Sequence, residues 1–279
     1  MSWPCLRRVL GLISLAFLLK VDLFYVSQHR SAVANMTILA PRLIGNTDGI
    51  DLDSCVNVTM IDSLVDVGDD GICIKAGIDQ TNTRVATDGI LVDRCRIWSR
   101  NFAIGSDVSG WVRNVVMRNT EISSPQGSAP WAIKIKGHQT NGGGVENISF
   151  VNMTIGPLGP TPQQPHSSVF LDMYMDYASS ATPCANPYAR APDTHVCMDG
   201  AWRYRPVSFP DSPPIFRNIF FDNVKVASAK DAGSIQGLVN SNVTGLGLRN
   251  VAIASKNGWN CQYVNETHVE NVSPTWKCD

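Results

Sequence analysis

The sequence predicts an all-β chain wound as a parallel β-helix, on three observations. A short rung written Asn-Val/Ile-X-Val/Ile/Phe returns along the chain, at intervals of about 22 to 33 residues that mark a stacked solenoid. Further short β-branched segments follow each rung, so that a unit holds two or three strands. Helical periodicity is weak throughout, which argues against an α-helical repeat and leaves strands as the stacking element.

The first strand of each unit reads Asn35-Met-Thr-Ile38, Asn57-Val-Thr-Met60, Gly89-Ile-Leu-Val92, Asn114-Val-Val-Met117, Asn147-Ile-Ser-Phe150, Asn218-Ile-Phe-Phe221 and Asn250-Val-Ala-Ile253. The second reads Ser63-Leu-Val-Asp-Val67, Cys95-Arg-Ile97, Thr120-Glu-Ile122, Asn152-Met-Thr-Ile155 and Asn223-Val-Lys-Val226. The third spans 71–75, 102–105, 131–136 and 169–173. Asparagine suits the corners because it tolerates left-handed dihedrals and can hydrogen-bond along a column of like residues. Between Gly156 and Pro214 the rhythm lapses, and most of the prolines gather there with Cys184 and Cys197. That stretch is expected to be a long loop over the binding face of a β-helix domain covering 34–279.

Arg7 and Arg8 precede an apolar run, Val9 to Leu19, about the length of a signal-peptide core and too short to span a bilayer. Residues 1–33 therefore read as a signal peptide or apolar leader, with cleavage near Ala32-Val33-Ala34; a buried strand is the competing reading. Only about one coil precedes Asn46, and the end of a solenoid needs a cap. The expectation is that further N-terminal coils belong to this protein and are missing from the sequence.

Sequons at Asn35, Asn57, Asn147, Asn152, Asn242, Asn265 and Asn271 agree with a secreted, extracellular location, although the same Asn-X-Thr strings are what a rung requires. The chain has 8 cysteines. Cys184 with Cys197, and Cys261 with Cys278, have the spacing of local loop disulfides; Cys73 and Cys95 either pair or stack, leaving Cys55 as a buried thiol. No Cys or His spacing suggests zinc, so no cofactor or metal is expected. A net charge of −1 makes no electrostatic case for nucleic acid, and no stable membrane association is expected of what reads as a monomer.

The chemistry concentrates in Asn46-Thr47-Asp48-Gly49 and Gly68-Asp69-Asp70-Gly71. Lining up the third strands puts Asp48 over Asp69 and Asp70, then Arg100, then Lys134 and Lys136 along one face. Crowded carboxyl groups split their pKa values, supplying both an acid and a base for glycoside hydrolysis. The cations would hold the carboxylates of an anionic sugar polymer. Adjacent aspartates point to opposite faces of a regular strand, so Asp69 and Asp70 can share the groove only if the backbone is irregular there, as their flanking glycines allow. Asp51, Asp53 and Asp66 are expected to cap turns or face solvent.

These motifs, with Lys134-Ile-Lys136, resemble those of glycoside hydrolase family 28, the polygalacturonases and their relatives, over roughly residues 35–178. The resemblance implies a right-handed parallel β-helix and metal-free, inverting hydrolysis of α-1,4-galacturonan in pectin. It implies Asp69 as general acid, Asp48 and Asp70 as the pair that activates water, Lys136 as a ligand of substrate carboxylate, and Asn46 as support for the first aspartate. Tyr177, in Asp176-Tyr177, matches a substrate-contacting tyrosine, and Lys134, Arg100 and His138 are read as further substrate contacts. Two features depart from the pattern. A Gly-His-Gly segment is replaced by Ser99-Arg100-Asn101, and Arg-Ile-Lys is replaced by Lys134-Ile-Lys136, which keeps the charge but loses the planar fork. Two other readings remain: a pectin-binding relative without turnover, and a calcium-dependent eliminase on the same scaffold.

Overall fold

The computed structural model describes residues 31–42, 44, 46–77, 85–123, 129–137, 142–160, 169–174, 195–198, 201–204 and 213–278. The first coil holds strands β1 (Ser31–Ala34), β2 (Thr37–Leu39) and β3 (Ile50–Asp53). The second holds β4 (Val56–Ile61), β5 (Leu64–Asp66) and β6 (Asp70–Lys75); the third, β7 (Thr87–Asp93), β8 (Arg96–Trp98) and β9 (Asn101–Ile104). The fourth is β10 (Val112–Arg118), β11 (Glu121–Ile122) and β12 (Trp131–Lys136). Strand β13 (Gly144–Pro157) runs unbroken through two columns and β14 (Val169–Tyr174) supplies the third. Inside the expected loop lies an antiparallel pair, β15 (His195–Met198) and β16 (Ala201–Tyr204). Then β17 (Ile215–Gln236) and β18 (Val243–Gln262) each traverse all three columns, followed by β19 (Val264–Asn265) and β20 (His268–Ser273).

Corresponding strands of successive coils pair in parallel, giving three columns. One runs β1-β4-β7-β10-β13-β17-β18. The second runs β2-β5-β8-β11-β13-β17-β18-β20. The third, which carries the candidate site, runs β3-β6-β9-β12-β14-β17-β18. Side chains alternate in and out of the coil. The inward set stacks by type, as in Ile50-Ile72-Phe102-Ile133-Leu171 of the third column, all buried. Each such side chain contributes about 1.5–3 kcal/mol by leaving water. Phe150 stacks on Phe221 at 4.8 Å between centroids, and Phe102 meets Phe150 edge-on at 5.7 Å. At the C-terminal end Trp259 lies 5.0 Å from Trp276, beside the expected Cys261–Cys278 disulfide.

The corner asparagines behave as their chemistry suggests. Asn114, Asn147 and Asn218 share φ values of 55° and form one ladder, in which each Nδ2 donates to the Oδ1 of the coil before, at 3.3 and 3.2 Å. Asn119, Asn152 and Asn223 form another, at 3.1 and 2.8 Å. The amides of Asn147, Asn152 and Asn271 are thus engaged in ladders.

The register corrects two rungs. Asn35-Met-Thr-Ile38 pairs with Leu64-Val65, and Val251 pairs with Val224, so both lie in the second column rather than the first. The two corners use the same Asn-apolar-X-apolar string, which is why the pattern alone confuses them. Cys73 and Cys95 do not pair: both are free and buried, as is Cys55, because Cys73 sits in the third column and Cys95 between the first and second. Ala32-Val33-Ala34 lies in β1, paired with Thr59–Ile61. The Cys184 half of the other expected disulfide, and residues 1–30, lie outside the described residues.

Candidate active site

The site is built where the third column begins. The segment before β3 is fastened to the segment before β6 by several bonds. Thr47 Oγ1 donates to the Ile44 carbonyl at 2.8 Å and accepts the Gly68 N–H at 3.1 Å. The Gly49 N–H donates to the Asp70 carbonyl at 2.9 Å. The Asn46 N–H donates to Asp69 Oδ2 at 2.8 Å, with Asn46 at φ 54°. Asn46 therefore reaches an aspartate through its main chain.

The glycines around the acids are required by contact. A Cβ on Gly49 would lie 2.3 Å from the Gly71 carbonyl oxygen and from Val65. One on Gly71 would lie 2.4 Å from Ser99 Oγ, and one on Gly68 would lie 2.5 Å from the Ile44 and Pro41 carbonyl oxygens. At Gly71 the expected irregularity occurs. Asp70 is registered with Asn101, yet Ile72 is registered with Phe102, so two residues of β6 span one of β9. This β-bulge turns Asp70 to the outward row that Asn101 occupies, while Ile72 stays in the core.

Asp69 and Asp70 differ in their partners. Asp69 Oδ2 also accepts from Arg100 Nη1 at 3.3 Å, and Asp69 Oδ1 accepts the Asp70 N–H at 3.0 Å. Asp70 Oδ2 lies 3.4 Å from Lys136 Nζ. Burial pushes the Asp70 carboxyl up, but Lys136, Lys134, the neighbouring Asn101 amide and Lys75 outweigh it and hold it below the ordinary range. The Asn101 amide acts here by proximity: it is fully buried, and neither its Nδ2 nor its Oδ1 completes a hydrogen bond within the protein. Asp48 shows the opposite balance. Burial, then Asp70, Asp51 and Asp69, raise its pKa to about 7 against the pull of Lys75.

The lysines lie two coils beyond Asp69 and Asp70, on β12. Lys134 is buried, with Nζ 3.5 Å from the Trp131 ring centroid, 5.5 Å from that of Tyr174 and 3.8 Å from Asp172 Oδ2. Burial lowers Lys134 to about 8 and raises Asp172, so desolvation outweighs the mutual attraction of this loosely spaced pair on both sides. Lys134 pairs in register with Asp172, and Lys136 with Tyr174.

The structure thus gathers Asp48, Asp69, Asp70, Arg100, Lys134 and Lys136 on one face; His138 and Tyr177 lie outside the described residues. It adds residues that sequence reasoning missed. Asp51 was expected to cap a turn or face solvent, but it is 4% exposed and bound to Lys75 Nζ at 2.6 Å. Its position in β3 pairs with Cys73, so it points along the same outward row as Lys134. Asp107, with a buried and unbonded Oδ1, is pushed up to about 6 by burial, with Lys75 and Lys136 opposing and Asp53 and Asp51 adding to the rise. Alternation within the third strands, Asp51 with Asp53 and Cys73 with Lys75, was the available signal. Asp53 and Asp66 are half-buried and tie neighbouring coils together: Asp53 accepts the Gly77 N–H at 2.7 Å, and Asp66 pairs with Arg42 at 2.6 Å.

Chemically, this face gathers a carboxyl group whose pKa burial raises to about 7, two further carboxyl groups that bind cations or N–H donors, and ammonium groups able to face an anionic ligand.

Comparison with known proteins places the fold and the family of the chain. The chain is 28% identical over 253 residues to a probable polygalacturonase of Vitis vinifera, covering 86% of this chain and 43% of that protein. It is 27% identical over 118 residues to a polygalacturonase of Ralstonia nicotianae, covering 42% of this chain and 21% of that one. It therefore spans less than half the length of these relatives. Among solved structures, an exopolygalacturonase of Thermotoga maritima superposes with a TM-score of 0.58 at 22% identity, over 87% of this chain and 49% of its own. A polygalacturonase of Erwinia carotovora does so with a TM-score of 0.58 at 20% identity, over 84% and 50%. The shared fold is the right-handed parallel β-helix. The model of the glycosyl hydrolases family 28 matches residues 20–162, just over half of the chain, and the chain belongs to that family.

Proposed function

We propose that this protein is a secreted glycosidase that hydrolyses α-1,4-galacturonosyl linkages of pectin, with inversion and without a metal, in the degradation or remodelling of cell walls. The observation that carries this reading is the bulge at Asp70. It is the device that brings Asp70 beside Asp48 and Asp69 on the outward face, two coils before the strand that carries the lysines. Carboxyl groups in unlike environments supply the acid and the base that glycoside hydrolysis needs. The family resemblance gives the acid role to Asp69 and the activation of water to Asp48 and Asp70. Lys134 and Lys136 supply the charge to hold uronate carboxylates, and Asn46, through its main chain, fixes the segment that carries Asp48. The protein is expected to act as a monomer, apart from nucleic acids and membranes.

Release of reducing ends from polygalacturonate, measured for the wild type and for Asp48→Asn, Asp69→Asn and Asp70→Asn, tests the reading. Loss of at least about a hundredfold in each variant is expected; unchanged rates would remove the catalytic assignment. A second reading, binding without turnover, is favoured by the Arg100–Asp69 contact, which occupies the carboxyl that the resemblance makes the acid. Tight oligogalacturonide binding by a folded wild type that releases no reducing ends would establish it.

A further inference from the structure

The β6–β9 pairing leaves one polar side chain without a use. Asn101 stands opposite Asp70 there, on the coil between the aspartates and the lysines. It is fully buried, and among the described residues neither its Nδ2 nor its Oδ1 completes a hydrogen bond. A buried amide without partners is costly, so one that persists calls for a partner met in another state of the protein. The acceptor in register with it is the Asp70 carboxylate, close enough for the amide to favour its ionised form. Here Asp70 is turned to a different partner, Lys136 Nζ, 3.4 Å from its Oδ2. Its other titratable neighbours are Lys134 of β12, Lys75 and Cys73 of its own strand, Asp48, and the adjoining Asp69. Arg100, next to Asn101 in the chain, engages Asp69 at 3.3 Å.

Lys136 is also the group read above as a ligand of the substrate carboxylate. A uronate placed there shares its single charge with Asp70 and weakens the Lys136–Asp70 pair. Resting on the glycosidase reading above, we propose that Asn101 is a positioning residue for Asp70 in the substrate-bound enzyme: as a uronate carboxylate draws Lys136 away, the Asn101 Nδ2 takes over the Asp70 carboxylate by a hydrogen bond. The exchange keeps Asp70 aimed and ionised when its cation is claimed, and so able to take a proton from the attacking water. It also gives the orphaned amide its partner, which links occupancy of the lysine site to the state of the carboxylate. A glycine, as in the Gly-His-Gly segment that Ser99-Arg100-Asn101 replaces, has no side-chain amide to offer. The device therefore belongs to this chain's own departure from that pattern.

The test compares free and substrate-bound enzyme. The acid limb of kcat reports the bound state and that of kcat/KM the free state. Asn101→Leu, close to asparagine in size and without the amide, is expected to lower kcat on polygalacturonate about tenfold with KM little changed, as one lost hydrogen bond to a charged group implies. It should move the acid limb of kcat up by about one pH unit and that of kcat/KM by clearly less, because Lys136 still holds Asp70 in the free enzyme. Equal shifts of both limbs would mean that no exchange of partners occurs. A fall in rate with neither limb moved would reduce Asn101 to a structural part. Either result overturns the proposal. Side-chain amide NMR of the full chain gives a readout independent of turnover. The Asn101 Nδ2 proton resonance, identified by its loss in Asn101→Ser, should move downfield when free galacturonate saturates the protein. It should already be displaced in Lys136→Met without sugar. A resonance that stays in place in either experiment sinks the exchange. A wild type that releases no reducing ends would count against the glycosidase reading, while the Lys136→Met spectrum, which involves no sugar, would still decide this one.

Discussion

Asp70 stands opposite Asn101 across the β6–β9 pairing, while Ile72, two residues along, stands opposite Phe102, only one residue along. That single slipped residue decides which face of the coil Asp70 addresses. Without it Asp70 would share the inward set of Ile72 and Ile74, both fully buried in the core.

Gly71→Ala is expected to lower stability by about 1–3 kcal/mol, since the new methyl meets Ser99 and Ile97 at 2.4 and 2.5 Å in a closed part of the coil. Urea unfolding followed by fluorescence measures this. Release of reducing ends should fall further than the loss of folded protein explains, because relieving the clash moves the bulge that aims Asp70.

Stability should carry the imprint of Asp48. Its folded pKa, about 7, lies above the ordinary 3.8, so between those values the folded chain holds a proton that the unfolded chain releases. Stability then falls as pH rises through this window, and the loss is complete above about pH 7. Asp48→Asn removes the dependence. Its unfolding free energy from urea titration should exceed that of the wild type at pH 8, by on the order of 1–2 kcal/mol after solvent screening, and the gain should vanish near pH 4. An equal gain at both values would show that the carboxyl is not held protonated.

Affinity for an anionic sugar should report on Lys134. Because burial depresses this lysine to about 8, its charge is present below that pH and is lost as pH rises through it. Binding of free galacturonate, measured by calorimetry, is expected to weaken several-fold between pH 7 and 9.5. Lys134→Met should weaken binding about tenfold at pH 6, in keeping with one lost hydrogen bond to a charged group, and should flatten the pH dependence.

The ladders should be separable into their two contributions. Asn152 combines φ 54° with hydrogen bonds to Asn119 and from Asn223. Asn152→Gly retains the backbone freedom and loses only the bonds, at about 1 kcal/mol. Asn152→Ala also forces a left-handed alanine and should cost about 2–3 kcal/mol in guanidinium unfolding. Equal costs would mean that the ladder bonds, rather than the dihedral, explain the choice of asparagine.

Much of this was legible in the chain. The recurring Asn-apolar-X-apolar string identified a stacked solenoid because a strand period and a corner residue leave a written pattern. The acids, the glycines between them and the need for a distorted strand at Asp69-Asp70 were equally readable. Which corner a given asparagine occupies was not. Asn35 and Asn250 fell in the second column because both corners use one string, and only hydrogen-bonded register separates them. Asp51 was misjudged for a related reason: its burial depends on Lys75 of the next coil, which no local pattern announces.

The sequence by itself determined the kind of coil, the family and the identity of the groups available for chemistry, since each follows from local pattern and residue type. Tertiary structure alone decided how those groups are charged. Arg100 lies 31 residues from Asp69 along the chain and Lys136 lies 66 from Asp70, yet each pair is in contact. A carboxyl group's proton affinity depends on the charges and solvent within a few ångströms of it, and stacking, not sequence proximity, chooses those neighbours.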